Sequence, residues 1–224
     1  MPHPRGEGAL LDDVSFQIEQ GTVAQIVGPT GVGKSVLFSI VSLRRASPTG
    51  RLVVAGRNLD RLDDSAVAML RRNVGSCGQT PQLVEEESVA ENLALPLVAR
   101  DRRAGVFERV VESVAETPIE PLLEVPAGRL AHAERRLVGI WRALICEPDL
   151  VLIDGGLEDL GAFQEFVVEA LSAAHRREAT IVVFGRTLSG SLDGLCSASW
   201  RLDAGRLERL EEVGPMEASV EGAA

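Results

Sequence analysis

Eight consecutive residues, Gly28-Pro29-Thr30-Gly31-Val32-Gly33-Lys34-Ser35, carry the clearest chemistry in the chain. They fit the pattern Gly-x-x-x-x-Gly-Lys-Ser/Thr, in which a glycine-rich turn folds its backbone N–H groups inward around phosphate oxygens. A helix starting just beyond adds partial positive charge at the same point. Lys34 is expected to reach the β- and γ-phosphates of a nucleoside triphosphate, and Ser35 to hold Mg²⁺. Other reactive residue types are less organised. Cys77, Cys146 and Cys196 are too few and too far apart for a disulfide framework or a zinc site, and read as small buried hydrophobes. His175 reads as a solvated polar residue, and Glu85-Glu86-Glu87 as a solvated run ahead of a helix.

Such a loop needs a strand before it and a helix after it. Thr22–Val27 is a short apolar run entering the loop, as a buried strand would. Leu37, Phe38, Ile40, Val41 and Leu43 predict a helix from Lys34 to Arg45, stopped near Pro48-Thr49-Gly50. Arg51–Val54 with a turn at Gly56 predicts an antiparallel strand pair. Asp63–Arg72 reads as a helix with its terminal charges favouring the macrodipole. Ser88 followed by Glu91 has capping-box spacing and starts a helix over Ser88–Val98. Ala104–Glu116 places Val106, Phe107, Val110, Val111 and Val114 on one helical face, before Pro118, Pro121 and Pro126 interrupt the chain.

Leu137, Ile140, Trp141, Leu144 and Ile145 follow helical spacing. Leu150–Ile153, ending at Asp154, and Thr180–Phe184 are unbroken apolar runs, the pattern of strands covered on both faces, with a helix over about 161–175 between them. Ser199–Leu202 and Arg206–Leu210 read as a hairpin, and 211–224 as an acidic disordered tail. Strands alternating with helices around an all-helical middle predict an α/β fold with a helical insertion.

Composition narrows the function. The chain has 224 residues, 23 Lys plus Arg against 33 Asp plus Glu, and a net charge of −10. That balance argues against binding nucleic acid, or anionic lipid by charge alone. With 4% aromatics and no Tyr, base-stacking surfaces for single strands are excluded. No apolar run nears the roughly 20 residues needed to cross a bilayer. Met1–Gly8 has two prolines and no apolar stretch, so no secretory signal is expected and the cytoplasm is the expected compartment.

Beyond the phosphate loop, further segments stand in a familiar order. They are Leu10–Phe16, Gln79, Ser88-Val89-Ala90-Glu91-Asn92-Leu93 with Ala94-Leu95-Pro96-Leu97, Arg142-Ala143-Leu144, Glu147-Pro148-Asp149-Leu150, Asp154 and Asp203-Ala204-Gly205-Arg206. In this order the chain resembles the ABC-type ATPases, the nucleotide-binding subunits of ABC transporters, over about residues 8–210. The resemblance implies a P-loop NTPase (RecA-like) core, about 8–87 and 146–210, with an antiparallel β subdomain and a helical subdomain over about 88–145. It makes residues 1–210 a single ATP-binding domain. Leu10–Phe16 takes the place of the strand before the loop, and Gln79 that of the Q-loop glutamine. ATP is then held by Gly28–Ser35 with Gln79, and Mg²⁺ by Ser35, Gln79 and Asp154. The implied partners are an integral membrane permease subunit and a second ATPase subunit, identical or not, on the cytoplasmic face of the membrane.

The departures from the family are systematic. Its signature, Leu-Ser-Gly-Gly followed by Gln or Glu, aligns with Leu130-Ala131-His132-Ala133-Glu134. There Ala131 has no hydroxyl and His132 puts bulk where glycine allowed close approach. The glutamate that polarises the attacking water is Gly155, the following proline is Gly156, and the D-loop aspartate is Gly161. The switch histidine falls at Gly185 or Arg186, and the adenine-stacking aromatic near His3 or Pro4. Arg186 is the one candidate substitute, as a donor to the γ-phosphate. These losses predict an ATP-binding but hydrolysis-impaired subunit with a structural or regulatory role. The alternatives are a scaffold that binds no nucleotide and an active ATPase with displaced groups. Lys34–Leu37 and Glu91–Leu97 look like the Mla/Mce lipid-transport or the lipoprotein-release and cell-division groups.

Overall fold

The structure, a computed structural model, describes the backbone of residues 2–3 and 6–9, and backbone and side chains of 11–46, 49–100 and 104–210. The described elements, in chain order, are β1 (Pro2–His3), β2 (Gly6–Ala9), β3 (Val23–Val27), α1 (Lys34–Val41), β4 (Val53–Val54) and β5 (Arg57–Asn58). Next come α2 (Asp64–Arg71), β6 (Val74–Cys77), α3 (Val89–Ala99), α4 (Val106–Val114) and α5 (His132–Leu144). β7 (Leu150–Asp154), α6 (Gln164–Arg176), β8 (Thr180–Gly185), β9 (Ala198–Asp203) and β10 (Arg206–Leu210) complete the series. The central sheet has the order β10-β9-β3-β8-β7-β6. β9, β3, β8, β7 and β6 are mutually parallel, and β10 is antiparallel to β9. β4–β5 and β1–β2 form separate antiparallel pairs.

The apolar runs give two cores because strand side chains alternate between faces. Val151, Ile153, Ile181 and Val183 join one core with residues of α3 to α6, while Leu152, Val182 and Phe184 join the other with Leu37 and Phe38 of α1. Both faces are covered, as the uninterrupted hydrophobicity of β7 and β8 requires. α3 begins as its sequence predicts. Ser88 Oγ accepts from the Glu91 N–H at 3.2 Å, and a Glu91 carboxylate oxygen accepts from the Ser88 N–H at 2.8 Å. Asn92, fully buried, accepts from the Val84 N–H at 2.8 Å and donates to the Val84 and Ser88 carbonyls at 3.0 Å each. It thereby pins the acidic segment to α3.

Several expectations are corrected. No strand spans 11–16; there Leu11, Val14 and Phe16 lie against the α1-side core, and the Asp12 N–H donates to the Gly205 carbonyl at 2.8 Å. Hydrophobic docking replaces sheet pairing in that segment. α1 ends at Val41 rather than Arg45 because Leu43 turns into the left-handed region (φ 61°). β6 is a strand that composition concealed: Val-Gly-Ser-Cys has one β-branched residue, and Gly75 is there because a Cβ would collide with the Ala143 carbonyl oxygen of α5. α4 buries Val106, Val110 and Val114 but leaves Phe107 and Val111 exposed, so its buried stripe is narrower than its apolar face. His175 is half-buried and its Nδ1 is enclosed without a partner, not solvated. Of the other readings, Pro4, Leu10, Pro48 and the 211–224 tail lie outside the described residues.

Candidate functional site

The carboxyl ends of parallel strands meet at one edge of the sheet, where α/β folds place their ligands. β3 ends at Val27 and leads into the Gly28–Ser35 loop, β7 ends at Asp154, β8 at Gly185, and Gln79 follows β6. A cavity of about 580 Å³ opens between them. Thr30, Gly31, Gly33, Lys34, Ser35, Gln79, Asp154, Gly155 and Arg186 all line it, so residues up to 156 positions apart converge on one site. Gly28, Pro29 and Val32 do not line it. Val32 instead packs against the α1-side core.

The loop's sequence explains its shape. Gly31 and Gly33 have φ of 89° and 107°, values that side-chain-bearing residues rarely adopt, and Gly33 caps α1. At Gly28 a Cβ would strike the Leu202 carbonyl oxygen of β9. Lys34 Nζ donates to the Gly28 and Pro29 carbonyls at 2.5 and 2.7 Å, folding its charge along the inner side of the loop. Burial lowers the Lys34 pKa most; Asp154 raises it and Arg186 lowers it further. Asp154 is almost wholly buried.

The positions expected from the resemblance to depart from the catalytic pattern are equally definite in geometry. Gly155 adopts φ 95° and donates its N–H to the Phe184 carbonyl at 2.9 Å. A Cβ there would lie 3.1 Å from an Arg136 Nη and 3.2 Å from the Gln79 Cγ. Gly161 breaks the turn over 158–163 with φ 54° and ψ −123°. Arg186 is exposed at the cavity rim. Ala131, His132 and Ala133 start α5 and do not line the cavity. Ala131 gives no side-chain cap, and Glu134 compensates by accepting from the Ala131 N–H at 2.8 Å. His3 and Pro4, where a base-stacking group would stand, are not among residues with described side chains.

Three charged residues at the site are not expected from the sequence. Glu158 and Asp159 line the cavity, on a turn with no recognisable spacing. Arg136 was legible in principle. It shares a helical stripe with Ile140 and Ala143, all buried, so it is a charge set on an apolar face.

Known proteins share the sequence pattern and the fold. The pattern of the ABC transporter family matches residues 11–157. A methionine import ATP-binding protein of Haemophilus influenzae (strain 86-028NP) is 26% identical over 213 residues, covering 94% of this chain and 62% of its own. One from Cupriavidus metallidurans is 34% identical over 162 residues, covering 68% of this chain and 45% of its own. The chain thus spans about half to three fifths of these relatives' length. A solved dimeric structure of the ATP-binding cassette MJ0796 bound to ADP and Pi superposes with a TM-score of 0.79 over 91% of both chains at 24% identity. These relatives are named for methionine import and lend no support to either the lipid-transport or the lipoprotein-release group.

Proposed function

The chain belongs to the ABC transporter family, and from that membership we propose that it is the ATP-binding subunit of a membrane-associated transport complex, impaired in hydrolysis and structural or regulatory in role. The observation that carries the reading is one cavity in which the Gly28–Ser35 loop, Gln79 and Asp154 meet. The residues fit Mg-ATP: a glycine turn at a helix start for the phosphates, a lysine on its inner side, and a hydroxyl, an amide and a buried carboxylate for the metal. Bound Mg²⁺ would neutralise phosphate charge. Lys34 would exchange its two loop carbonyls for phosphate oxygens, Ser35 and Asp154 would hold the metal, and Gln79 would complete its surroundings.

Proton transfer is where this chain falls short. Gly155 offers no base, and a missing general base costs about 10²–10⁴ in rate. Turnover would fall from a common ~10 s⁻¹ to ~0.1 s⁻¹ or less. In a dimer with a second ATPase subunit, Ala131-His132-Ala133 would give the partner's phosphates a poor grip. For docking on a permease, the segment from Gln79 to Pro96 is the proposed surface. It exposes Val84 and Leu95 and borders a groove of about 420 Å³ lined by Arg44, Arg71, Arg72, Arg100 and Arg142, with no carboxylate lining it among the described residues. An acidic segment of the membrane subunit suits that groove. The membrane subunit that co-purifies will distinguish a methionine cargo, on the pattern of the relatives, from a lipid or lipoprotein one. Calorimetry tests the core of the reading: the wild type should bind Mg-ATP and Lys34→Ala should lose it. Equal binding by both, or none by either, would favour a scaffold that does not use the loop.

A further inference from the structure

Arg136 is 1% exposed, yet no carboxylate pairs with it among the described residues, where the ion pair is Arg135–Glu85 at 3.0 Å. Five backbone carbonyls surround its guanidinium instead. One Nη donates to Gly78 and Asp154 at 2.8 Å each and to Gln79 at 3.4 Å; the other donates to Gly155 and Gly156 at 3.1 and 3.3 Å. Its Nε is enclosed without a partner. Burying an unpaired charge costs several kcal/mol after relaxation, and carbonyl dipoles offset only part of that. Arginine supplies the N–H donors that five carbonyls need and brings a charge with them. That charge sits directly behind Gly155, Gly156 and Gln79, which line the nucleotide cavity.

The carbonyls add a second effect. The peptides among the described residues are trans, so each carbonyl turned toward Arg136 turns the next residue's N–H away from it. Anchoring the Gly155 and Gly156 carbonyls thus fixes the N–H groups of Gly156 and Leu157 on the far side of the guanidinium.

We propose that Arg136 is a positioning residue that brings a buried positive charge to the floor of the nucleotide cavity, behind Gly155, and makes that cavity select the nucleotide with more phosphate charge. The inference rests on the nucleotide-binding reading and adds a determinant of triphosphate over diphosphate preference. A site with a cation where a base is usual holds the triphosphate rather than cleaving it.

The test measures Kd for the magnesium complexes of ADP and of a non-hydrolysable ATP analogue with a β,γ-imido bridge. The wild type should prefer the analogue. Arg136→Met should reduce that preference at least tenfold, since one charge pair at an effective dielectric of about 20 is worth that much even about 12 Å apart. Arg136→Lys should keep the preference even where both affinities fall. A purely structural role weakens both nucleotides by a common factor, so an unchanged ratio in Arg136→Met overturns the assignment. Should both variants fail to fold, ¹⁵N-arginine NMR of the wild type decides. The exchange-protected Nε–H signal of the buried arginine should shift with the analogue and not with ADP, and a signal indifferent to both overturns the proposal. Absence of Lys34-dependent binding in the wild type would end both readings; binding with an unchanged ratio would end only this one.

Discussion

Gly155 holds φ 95° with the Arg136 guanidinium behind it, and both features bear on any attempt to restore a base there. A glutamate at 155 would strain the backbone by roughly 1–3 kcal/mol, and its carboxylate would meet a buried cation before it met water. Gly155→Glu should therefore melt below the wild type and hydrolyse ATP no faster than Lys34→Ala in a phosphate-release assay. A wild-type rate near ~1 s⁻¹, abolished by Lys34→Ala and by Arg186→Ala, would instead reveal an active enzyme with displaced groups. Cys77 gives a pH signature. Burial pushes its thiol up from 9.0 to about 11, against the pull of Arg136, Arg142 and Arg44. The unfolded thiol ionises first, so its contribution to stability is complete below about pH 9 and is lost as pH rises to about 11. Two units correspond to about 3 kcal/mol. Urea midpoints at pH 8 and pH 10.5 should diverge more for the wild type than for Cys77→Ala.

The start of α3 joins a helix cap to a buried amide. Asn92→Ala would strand the Val84 N–H and take one donor from each of the Val84 and Ser88 carbonyls, which keep the Glu87 and residue 92 backbone N–H groups, and should cost about 2–3 kcal/mol. Ser88→Ala, which removes the cap acceptor and the hydroxyl's bond to the exposed Glu91 carboxylate, should cost about 1 kcal/mol. Denaturant unfolding of the two variants checks the order. The cap was readable because Ser88 and Glu91 act locally, and the phosphate loop for the same reason. What the sequence concealed depends on distant contacts. β6 is a strand by virtue of pairing with β7, and its Gly75 makes sense only against Ala143 of α5. Leu11–Phe16 stands where the family resemblance implies a strand but docks by side chains. Arg136 is a charge on an apolar stripe and so legible in principle, yet its carbonyl partners come from two loops that only the fold brings together.

Charge is unevenly spread over the molecule: a net −10 coexists with a groove that gathers five arginines beside α3. Reversing the exposed pair with Arg71→Glu and Arg72→Glu should reduce recovery of the membrane subunit in co-purification while leaving nucleotide affinity intact; full recovery would remove this groove from the docking surface. The cavity on the sheet's carboxyl edge has a different consequence. Its walls come from residues 30, 31, 33–36, 79, 154–156, 158, 159 and 184–187, so no short contiguous fragment contains it. The pocket therefore exists only once β3, β6, β7 and β8 have closed over long chain separations, a slow class of event. During refolding, nucleotide capture should lag behind the appearance of helical signal and coincide with the last cooperative phase. A ligand present at a hundred times its Kd then deepens only the finished state, by about 2.7 kcal/mol. ATP in this chain would act as a latch on completed folding, withdrawing finished molecules from the pool that proteases can reach.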